Sequence, residues 1–418
     1  MATNAFSRLG SANAYDNALR NIAGRQTALS NLQENLTSGK KVVRASDDPT
    51  GAAQAERALT RLSRIATDQR ALEAQRNSIA MAESTLGDVS DALQTIRELV
   101  VSAGNPAYSA AERRSIALQL SGMRDQIFTL SNRTDTNGQP LFSALGSALA
   151  PFVGPKALAP DYTFEGLPGQ SASSEVAIPF ALDGDSAFMH QAARDGVYNV
   201  SLSTIPTGRQ LLTSPVTVTN SSLVNGSAYS LSIGVVDSTS VPGTTTVTYD
   251  ITENPNVTGP FVGLTASYPS GQTANIAVTA MPGLSLTLTG TPAVGDTLTV
   301  DPNPSIFSVL DDAIRDIGGA VNANAATQAV SQALNNIDIG MGRVSAVRGQ
   351  AGDLLNRADR ITSNQEKRSI QLEADRSRAE DLDMIQGISD FQNQQTGYQA
   401  ALQSYAQVQK LSLFNYIS

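Results

Sequence analysis

The sequence predicts a mainly α-helical fold with an inserted all-β domain. Segments from both ends of the chain form a long antiparallel helical bundle or coiled coil, and the β domain is inserted between them. Three observations predict this arrangement. Apolar residues recur every seven positions over 65–103, and apolar stripes of helical period return after residue 305. Between 146 and 305 the chain is rich in Gly, Pro, Ser and Thr and has short alternating segments.

The first predicted helix covers about residues 11–37. One apolar stripe runs along it, formed by Tyr15, Leu19, Ile22, Leu29, Leu32 and Leu36. The stripe is thin and the opposite face is polar, so the isolated helix would be marginal in water. Two interpretations remain open: an ordinary amphipathic core helix, or an assembly helix that orders only against copies of itself.

Residues 38–48 break this helix. Gly39 is typical of a helix stop, and Asp47 and Asp48 before Pro49 indicate the start of the next helix. Paired aspartates are also compatible with a metal or acid/base site. Helix capping is the stronger interpretation, because no third ligand stands nearby in the sequence.

The longest predicted helix covers about residues 50–102. Its apolar seam has a 3.5-residue period and consists of Ile65, Leu72, Ile79, Leu86, Leu93 and Val100 with Ala82, Val89, Ile96 and Ala103. At ~1.5 Å per residue, this part of the helix is a rod of about 55 Å that needs partner helices along its length. Ser109 and Glu112 form a capping-box sequence, which begins a second helix for the same seam.

The middle of the chain predicts short strands at 196–203, 215–219, 228–236, 244–252, 274–279, 283–290 and 296–300. Such strands between helices indicate an inserted module whose entry and exit are adjacent. Whether it forms one β domain or two stays open. The stretch from 150 to 305 carries 3 basic and 11 acidic residues, so the module is acidic whereas the helical parts are nearly neutral.

Helices resume at Ser305, and the last of them ends in an apolar stripe. That stripe consists of Ile388, Phe391, Tyr398, Leu402, Tyr405, Leu411 and Phe414. An apolar C-terminus is unusual for a monomer, so we expect this stripe and the N-terminal one to form an assembly interface. The predicted domains are terminal coiled-coil assembly helices (1–45 with 376–418), a helical rod (46–147 with 305–375) and the β domain (148–304).

Composition excludes several classes of function. The 418 residues include no cysteine and one histidine, His190, so thiol chemistry is excluded and a Ser-His-Asp triad is disfavoured. We expect His190 to be a surface or loop residue. A net charge of −9 argues against a nucleic-acid partner, and no apolar run is long enough to predict a membrane span. We identify no catalytic, cofactor-binding or metal site.

Four short motifs resemble the flagellin superfamily, and within it the hook-associated protein 3 family of hook–filament junction proteins. The segment Leu36–Pro49 resembles that family's SGK…SDDP motif, and Asp135–Phe142 is similar to the turn after its second core helix. Phe164–Gly169 resembles the start of its β domain, and Leu411–Ile417 resembles its C-terminal motif. The resemblance covers about 1–200 and 305–418; residues 200–305 match no motif.

The resemblance implies a structural, non-enzymatic role in bacterial motility. Members of the family form a ring at the distal end of the hook, on which flagellin polymerises, with hook-associated protein 1 on the hook side. They are exported unfolded through the flagellar type III apparatus with the help of an export chaperone, and they are extracellular. This route agrees with the first six residues, which lack the basic and apolar regions of a cleaved signal peptide. Without the resemblance, the same absence would equally predict a cytosolic protein.

Other interpretations stay open from the sequence. The chain is alternatively a flagellin or a hook-associated protein 1, although the SDDP segment and the C-terminal motif argue against a flagellin. A different class is a binding module or adhesin whose β domain recognises glycans or a host surface. The low aromatic content of 5% weakens that interpretation.

Overall fold

The computed structural model describes residues 3–157, 159–202, 209–255 and 257–417, with side chains described between 16 and 407. Helices from both terminal regions enclose an antiparallel β region in the sequence, so the predicted fold class is confirmed. The helices are α1 (Thr3–Ser38), α2 (Pro49–Ala103), α3 (Ala110–Ser131), α4 (Gly184–Phe188), α5 (Ala192–Asp195), α6 (Ile306–Gly319), α7 (Ala323–Glu380) and α8 (Met384–Ile417).

The strands are short except for a central pair. They are β1 (Phe152–Val153), β2 (Thr163–Phe164), β3 (Tyr198–Leu202), β4 (Leu211–Thr213), β5 (Thr217–Val218), β6 (Ala228–Val241), β7 (Thr244–Asn254), β8 (Phe261–Pro269), β9 (Ala274–Val278), β10 (Leu284–Gly290) and β11 (Thr297–Pro302). The sequence pattern predicted neither the strands β1, β2, β4 and β8 nor the short helices α4 and α5.

The chain divides into two compact units. Met1–Arg70 and Thr362–Ser418 form one unit, called the terminal unit below, and Ala71–Ile361 form the other, called the central unit.

The apolar seam of α2 lies in the core of the central unit, as predicted. Its positions from Leu72 to Val100 are at most 2% exposed, whereas Ile65 is half-buried. Helix α7 runs antiparallel to α2 in this unit, because Arg97 pairs with Asp338 at 2.7 Å and Arg76 pairs with Asp359 at 3.3 Å. Such exposed ion pairs contribute little energy, and the buried seam carries the stability.

A cluster of aromatic rings fills one region of this core. Its rings are those of Phe128, Phe142, Phe152, Tyr162, Phe164, Phe188 and Phe307. The ring of Phe307 on α6 lies 5.3 Å from that of Phe128 on α3, edge to face, and 5.2 Å from that of Tyr162. The Tyr162 hydroxyl donates to Asp311 at 2.7 Å. The cluster therefore ties α3 to α6.

The β region is one sandwich with one core. The first sheet has the strand order β3-β11-β6-β7-β8, and in the second sheet β10 pairs with β4, β5 and β9. The buried positions of β7, β9 and β10 alternate with exposed or half-buried ones, and both sheets bury the same apolar cluster. This single shared core favours one β domain over two.

The chain enters and leaves the sandwich through two neighbouring strands, β3 and β11. Tyr198 at the start of β3 is the cross-strand partner of Pro302 at the end of β11. Amide side chains of α7 contact it: Gln328 accepts from the Thr213 N–H at 2.8 Å, and Asn336 donates to the Tyr198 carbonyl at 2.9 Å.

The segment between α3 and the sandwich packs with the helices. Phe152, Tyr162 and Phe188 belong to the same buried cluster as the seam of α2. The predicted β-domain boundary at 148 therefore precedes the sandwich, whose first strand begins at Tyr198. The composition of the sequence changes where the Gly- and Pro-rich segment begins. The start of the β sandwich lies later, because the first part of that segment packs against the helices.

Candidate assembly surface

The candidate functional site is in the terminal unit, where α1 and α8 lie against each other in antiparallel orientation. A Cβ atom at Gly387 would lie 3.2 Å from Leu36 Cδ2, and one at Gly397 would lie 2.5 Å from Arg25 Nη1. The neighbour on α1 moves toward the N-terminus as the position on α8 moves toward the C-terminus. Glycine is unfavourable inside a helix, and at both positions it provides room for a side chain of α1.

The segment that follows α1 and the segment that precedes α8 are hydrogen-bonded to each other. Lys41 N–H donates to the Glu380 carbonyl at 2.8 Å, and Leu382 N–H donates to the Gly39 carbonyl at 2.9 Å. The Lys40 ammonium also pairs with the Glu380 carboxylate. The segment that contains the SGK…SDDP motif therefore has a definite structural partner in the α7–α8 break.

Asp47 and Asp48 both accept backbone hydrogen bonds in this segment. Asp47 Oδ2 accepts from the Arg44 N–H at 2.8 Å, and Asp48 Oδ1 accepts from the Thr50 N–H at 3.0 Å. The hydrogen bond from the Thr50 hydroxyl is the main cause that lowers the pKa of Asp48. The capping interpretation is confirmed for Asp48, whereas Asp47 accepts from the loop that precedes α2.

The terminal unit buries little apolar surface. Among its described residues the buried ones are small or polar, and none is Leu, Ile, Phe or Met; they are Val42, Gly51, Ala55, Ala58, Gln365, Ala379 and Gly387. The central unit, in contrast, fully buries a long series of large side chains. The apolar side chains of α1 and α8 are thus incompletely covered within one chain.

The predicted interface residues lie on this incompletely covered pair of helices. Leu19 is 42% exposed, Ile388 is 47% exposed and Leu402 is 41% exposed. The other described members are half-buried, namely Ile22, Leu29, Leu32, Leu36, Phe391, Tyr398 and Tyr405. Tyr15, Leu411 and Phe414 lie outside the residues whose side chains the structure describes.

Two exposed apolar side chains extend the surface beyond the predicted set. Ile385 is 85% exposed and Met384 is 45% exposed at the start of α8. The sequence could have indicated that they belong to the same stripe. They directly follow the charged segment 380–383, and no charged residue separates them from Ile388.

A groove of about 650 Å³ lies between α1 and α8. Its small lining residues include Ala18, Gly24 and Ala401, and its rim includes Arg20 and Arg25. No ion pair among the described residues involves either arginine. The groove thus has a mixed polar and apolar lining that includes two arginines.

The surroundings of His190 differ from the expectation. His190 is in a loop, which is one of the two expected positions, but it is buried there at 7% exposure, so the surface alternative is wrong. Its backbone N–H donates to the Pro304 carbonyl at 2.8 Å, which draws the residue into the central unit beside α6. Burial lowers the pKa of the imidazole to about 4 and raises the pKa of the nearby Asp312 carboxyl to about 6.

Metal sites and membrane spans are absent from the described part of the chain. It holds no group of three or more Asp, Glu or His side chains placed to bind a metal ion. No described helix combines the length and the apolar character that crossing a bilayer requires.

Two family models match this chain. The bacterial flagellin N-terminal helical region matches residues 11–146, and the bacterial flagellin C-terminal helical region matches residues 334–417. The N-terminal match contains most of α1 and all of α2 and α3. The C-terminal match contains most of α7 and all of α8.

Curated relatives match over shorter ranges. Flagellar hook-associated protein 3 of Salmonella typhimurium is 35% identical over 148 residues, which are 35% of this chain and 46% of that protein. The protein of the same name from Escherichia coli is 35% identical over 141 residues, which are 33% and 44%. Flagellin of Bacillus subtilis is 32% identical over 127 residues, which are 30% and 42%. The chain thus spans less than half the length of these relatives.

Solved structures share the fold. The crystal structure of FlgL from Xanthomonas campestris has a TM-score of 0.56 at 22% identity and covers 76% of this chain and 98% of its own. Flagellar hook associated protein-3 from Legionella pneumophila has a TM-score of 0.59 at 21% identity, with 76% and 97% coverage. At these identities the likeness concerns the fold alone. Because the two flagellin helical regions together match more than half of its residues, the chain belongs to the flagellin superfamily.

Proposed function

We propose that this protein is a structural junction protein of the bacterial flagellum. It forms a ring between hook and filament, and flagellin polymerises on that ring. The names of the relatives support the proposal, since two are called flagellar hook-associated protein 3 and a neighbour from Legionella pneumophila is titled the flagellar junction protein FlgL.

The observation that carries the proposal is the incomplete burial of the terminal unit. A chain that works alone gains stability by burying large apolar side chains in a core, and the central unit has such a core. In the terminal unit, α1 and α8 leave two-fifths or more of Leu19, Ile388 and Leu402 in water. Contact with neighbouring helices would bury these side chains at ~1.5–3 kcal/mol for each fully covered residue.

The proposal defines the partners and the location. Lateral neighbours are copies of this chain, hook-associated protein 1 lies on the hook side, and flagellin lies on the filament side. The protein is extracellular, and it reaches its place with an export chaperone and without a cleaved signal peptide. Its role is structural rather than enzymatic.

A filament subunit is the second candidate. Flagellins are among the relatives, at 32% identity for the protein of Bacillus subtilis. A filament subunit and a junction subunit would use the same terminal helices, so the surface described above does not separate them. Their positions in the flagellum and their copy numbers do.

The test is deletion of the gene followed by electron microscopy of the cells and immunoblotting of the medium. The junction role predicts intact hooks without filaments and flagellin shed into the medium, both corrected by the wild-type gene. Gold labelling should place the protein as a thin band at the hook end. Label along the whole filament would support the second candidate, and normal filaments in the deletion strain would refute both.

A further inference from the structure

The chain contains two Asn-Gly pairs, and their surroundings in the fold differ. One is Asn137-Gly138, in the turn between α3 and β1, and the other is Asn225-Gly226, in the turn that precedes β6. In both pairs the glycine has a positive φ, 78° at Gly138 and 76° at Gly226. Both asparagines are exposed. The conformation of the glycine and access to water therefore do not distinguish the two pairs.

An Asn-Gly pair can modify itself without an enzyme. The glycine N–H gives up its proton, the nitrogen attacks Cγ of the asparagine, and the side-chain amide leaves as ammonia with that proton. Water then opens the resulting succinimide ring at either carbonyl, which leaves aspartate or isoaspartate. Glycine favours the attack because it has no Cβ to hinder the approach. The asparagine side chain must also turn so that its Cγ meets the glycine nitrogen.

The side chain of Asn225 is held by three hydrogen bonds. Its Oδ1 accepts from the Ser227 N–H at 3.1 Å and from the Tyr229 hydroxyl at 2.9 Å, and its Nδ2 donates to the buried Glu253 carboxylate. Turning Cγ toward Gly226 breaks these bonds, and each broken bond raises the barrier. The loss of three ordinary hydrogen bonds should slow the reaction at least about tenfold.

The side chain of Asn137 is not held in this way. No hydrogen bond between described residues involves its amide group, and nothing beyond the chain neighbours of Gly138 lies within 4 Å of an added Cβ there. The backbone of the turn is ordered, because the Asn137 N–H donates to Asp135 Oδ1 at 2.8 Å and the Gly138 N–H donates to the Asp135 carbonyl at 3.1 Å. The second of these bonds is the one that must break before the glycine nitrogen attacks.

We infer that Asn137 is a site of spontaneous deamidation, with Gly138 as the attacking residue and water as the second reactant, and that the fold protects Asn225. The product has one more negative charge, beside Asp135. In the isoaspartate form the main chain also gains one carbon atom. The inference does not depend on the proposed function, because it concerns the chemistry of the single folded chain.

The reactive turn leads directly into the core of the central unit. Thr134 and Pro140 form an antiparallel bridge across it, and the Leu141 N–H donates to the Arg133 carbonyl at 3.0 Å. Leu141 and the next residue, Phe142, are fully buried. An extra main-chain carbon lengthens the loop that this bridge closes. The isoaspartate form, separated by ion exchange, should therefore have a lower Tm than the unmodified chain, and an equal Tm would refute this consequence.

The first experiment follows both sites in the purified full-length protein. The folded protein is kept under mildly alkaline conditions, and peptide mapping by mass spectrometry detects the mass gain of about 1 Da. Asn137 should deamidate at least about tenfold faster than Asn225. In urea, which removes the restraints of the fold, the two rates should become similar. Equal rates in the folded protein, a faster rate at Asn225, or a difference that persists in urea would each overturn the inference.

The second experiment changes each site separately. Y229F removes the hydroxyl that donates to Asn225 and should speed deamidation of Asn225 by about two- to tenfold. The control is Y249F, at another buried tyrosine of the same sheet, which should leave that rate unchanged. N137S should abolish the acidic species that the aged wild-type protein shows in isoelectric focusing. If Y229F and Y249F behave alike, the hydrogen bonds do not protect Asn225, and if N137S still produces the acidic species, Asn137 is not the site.

Discussion

Leu402 is the side chain whose substitution distinguishes an assembly surface from a folding core. It lies on α8 and is 41% exposed in the single chain. Burying a leucine fully contributes ~1.5–3 kcal/mol, so the exposed two-fifths leaves ~0.6–1.2 kcal/mol per copy to be gained on assembly. A Leu402→Asp change removes that gain and places an unpaired charge in every contact between copies, at a further cost of several kcal/mol.

The same change should affect the free chain only locally. The three-fifths of Leu402 that is already covered corresponds to ~1–2 kcal/mol, and that loss falls on the α1–α8 pair. The seam of the central unit, from Leu72 to Ile361, is untouched. We therefore expect an unchanged cooperative melt and faster amide exchange confined to α1 and α8.

The assay combines secretion, melting and microscopy in the deletion strain. L402D should appear in the medium at wild-type levels, melt with the wild-type Tm and support no filaments. L402M, which keeps volume and polarity, and L223D, which adds the same charge at a 56% exposed leucine of the β domain, should both support filaments. A Tm several degrees lower would place Leu402 in the fold's core, and normal filaments would refute its assembly role.

Three further predictions concern the central unit. Phe307→Ala should cost about 3–5 kcal/mol because it opens the centre of the aromatic cluster, and the Tm should fall by about 10 °C; Phe180→Ala, at a 53% exposed ring, should change it little. Replacing residues 199–301 with a short Gly/Ser linker should preserve a cooperative helical melt by circular dichroism, since Tyr198 and Pro302 are cross-strand partners; a non-cooperative melt would contradict this. The folded pKa of His190 is about 4 against 6.5 in the unfolded chain, so the unfolded state binds its proton first. The contribution of His190 alone should lower stability by up to about 3 kcal/mol as the pH drops from 6.5 toward 4, and protonation of Asp312 partly offsets that loss. His190→Gln should remove this loss of unfolding free energy at low pH, measured by urea titrations at several pH values. The raised pKa of Asp312, which favours the folded state at lower pH, should then dominate the pH dependence. An unchanged pH dependence in the variant would exclude His190 as its cause.

Periodic features of the sequence predicted the helices well. The seven-residue spacing from Leu72 to Val100 reports burial directly, because each of these side chains faces the same side of one helix. The capping box of Ser109 and Glu112 is present with both hydrogen bonds, so the start of α3 was readable from two residues. In these places the local signal and the tertiary environment agree.

Features built from distant segments were not predictable in this way. The rings around Phe307 come from separate loops and helices and share no period, so their meeting depends on the completed fold. Strand β8 follows Pro260 and contains Gly263, and none of its residues is buried, so its alternation is weak. The candidate interface lies between these cases: the stripes of α1 and α8 were visible, but the position of Arg25 against Gly397 required both helices.

The antiparallel contact of α2 with α7 has a consequence for the time at which the chain can fold. Asp338 follows its partner Arg97 by 241 residues, with the whole sandwich in between. At a synthesis rate of about 5–20 residues per second, the seam of α2 waits ~10–50 s for its partner helix. During that interval the long apolar stripe has no completed core to enter, and contacts so distant in sequence also form slowly. A chain of this design cannot complete its core until α7 has been made, so the stripe of α2 stays accessible to other molecules throughout that interval.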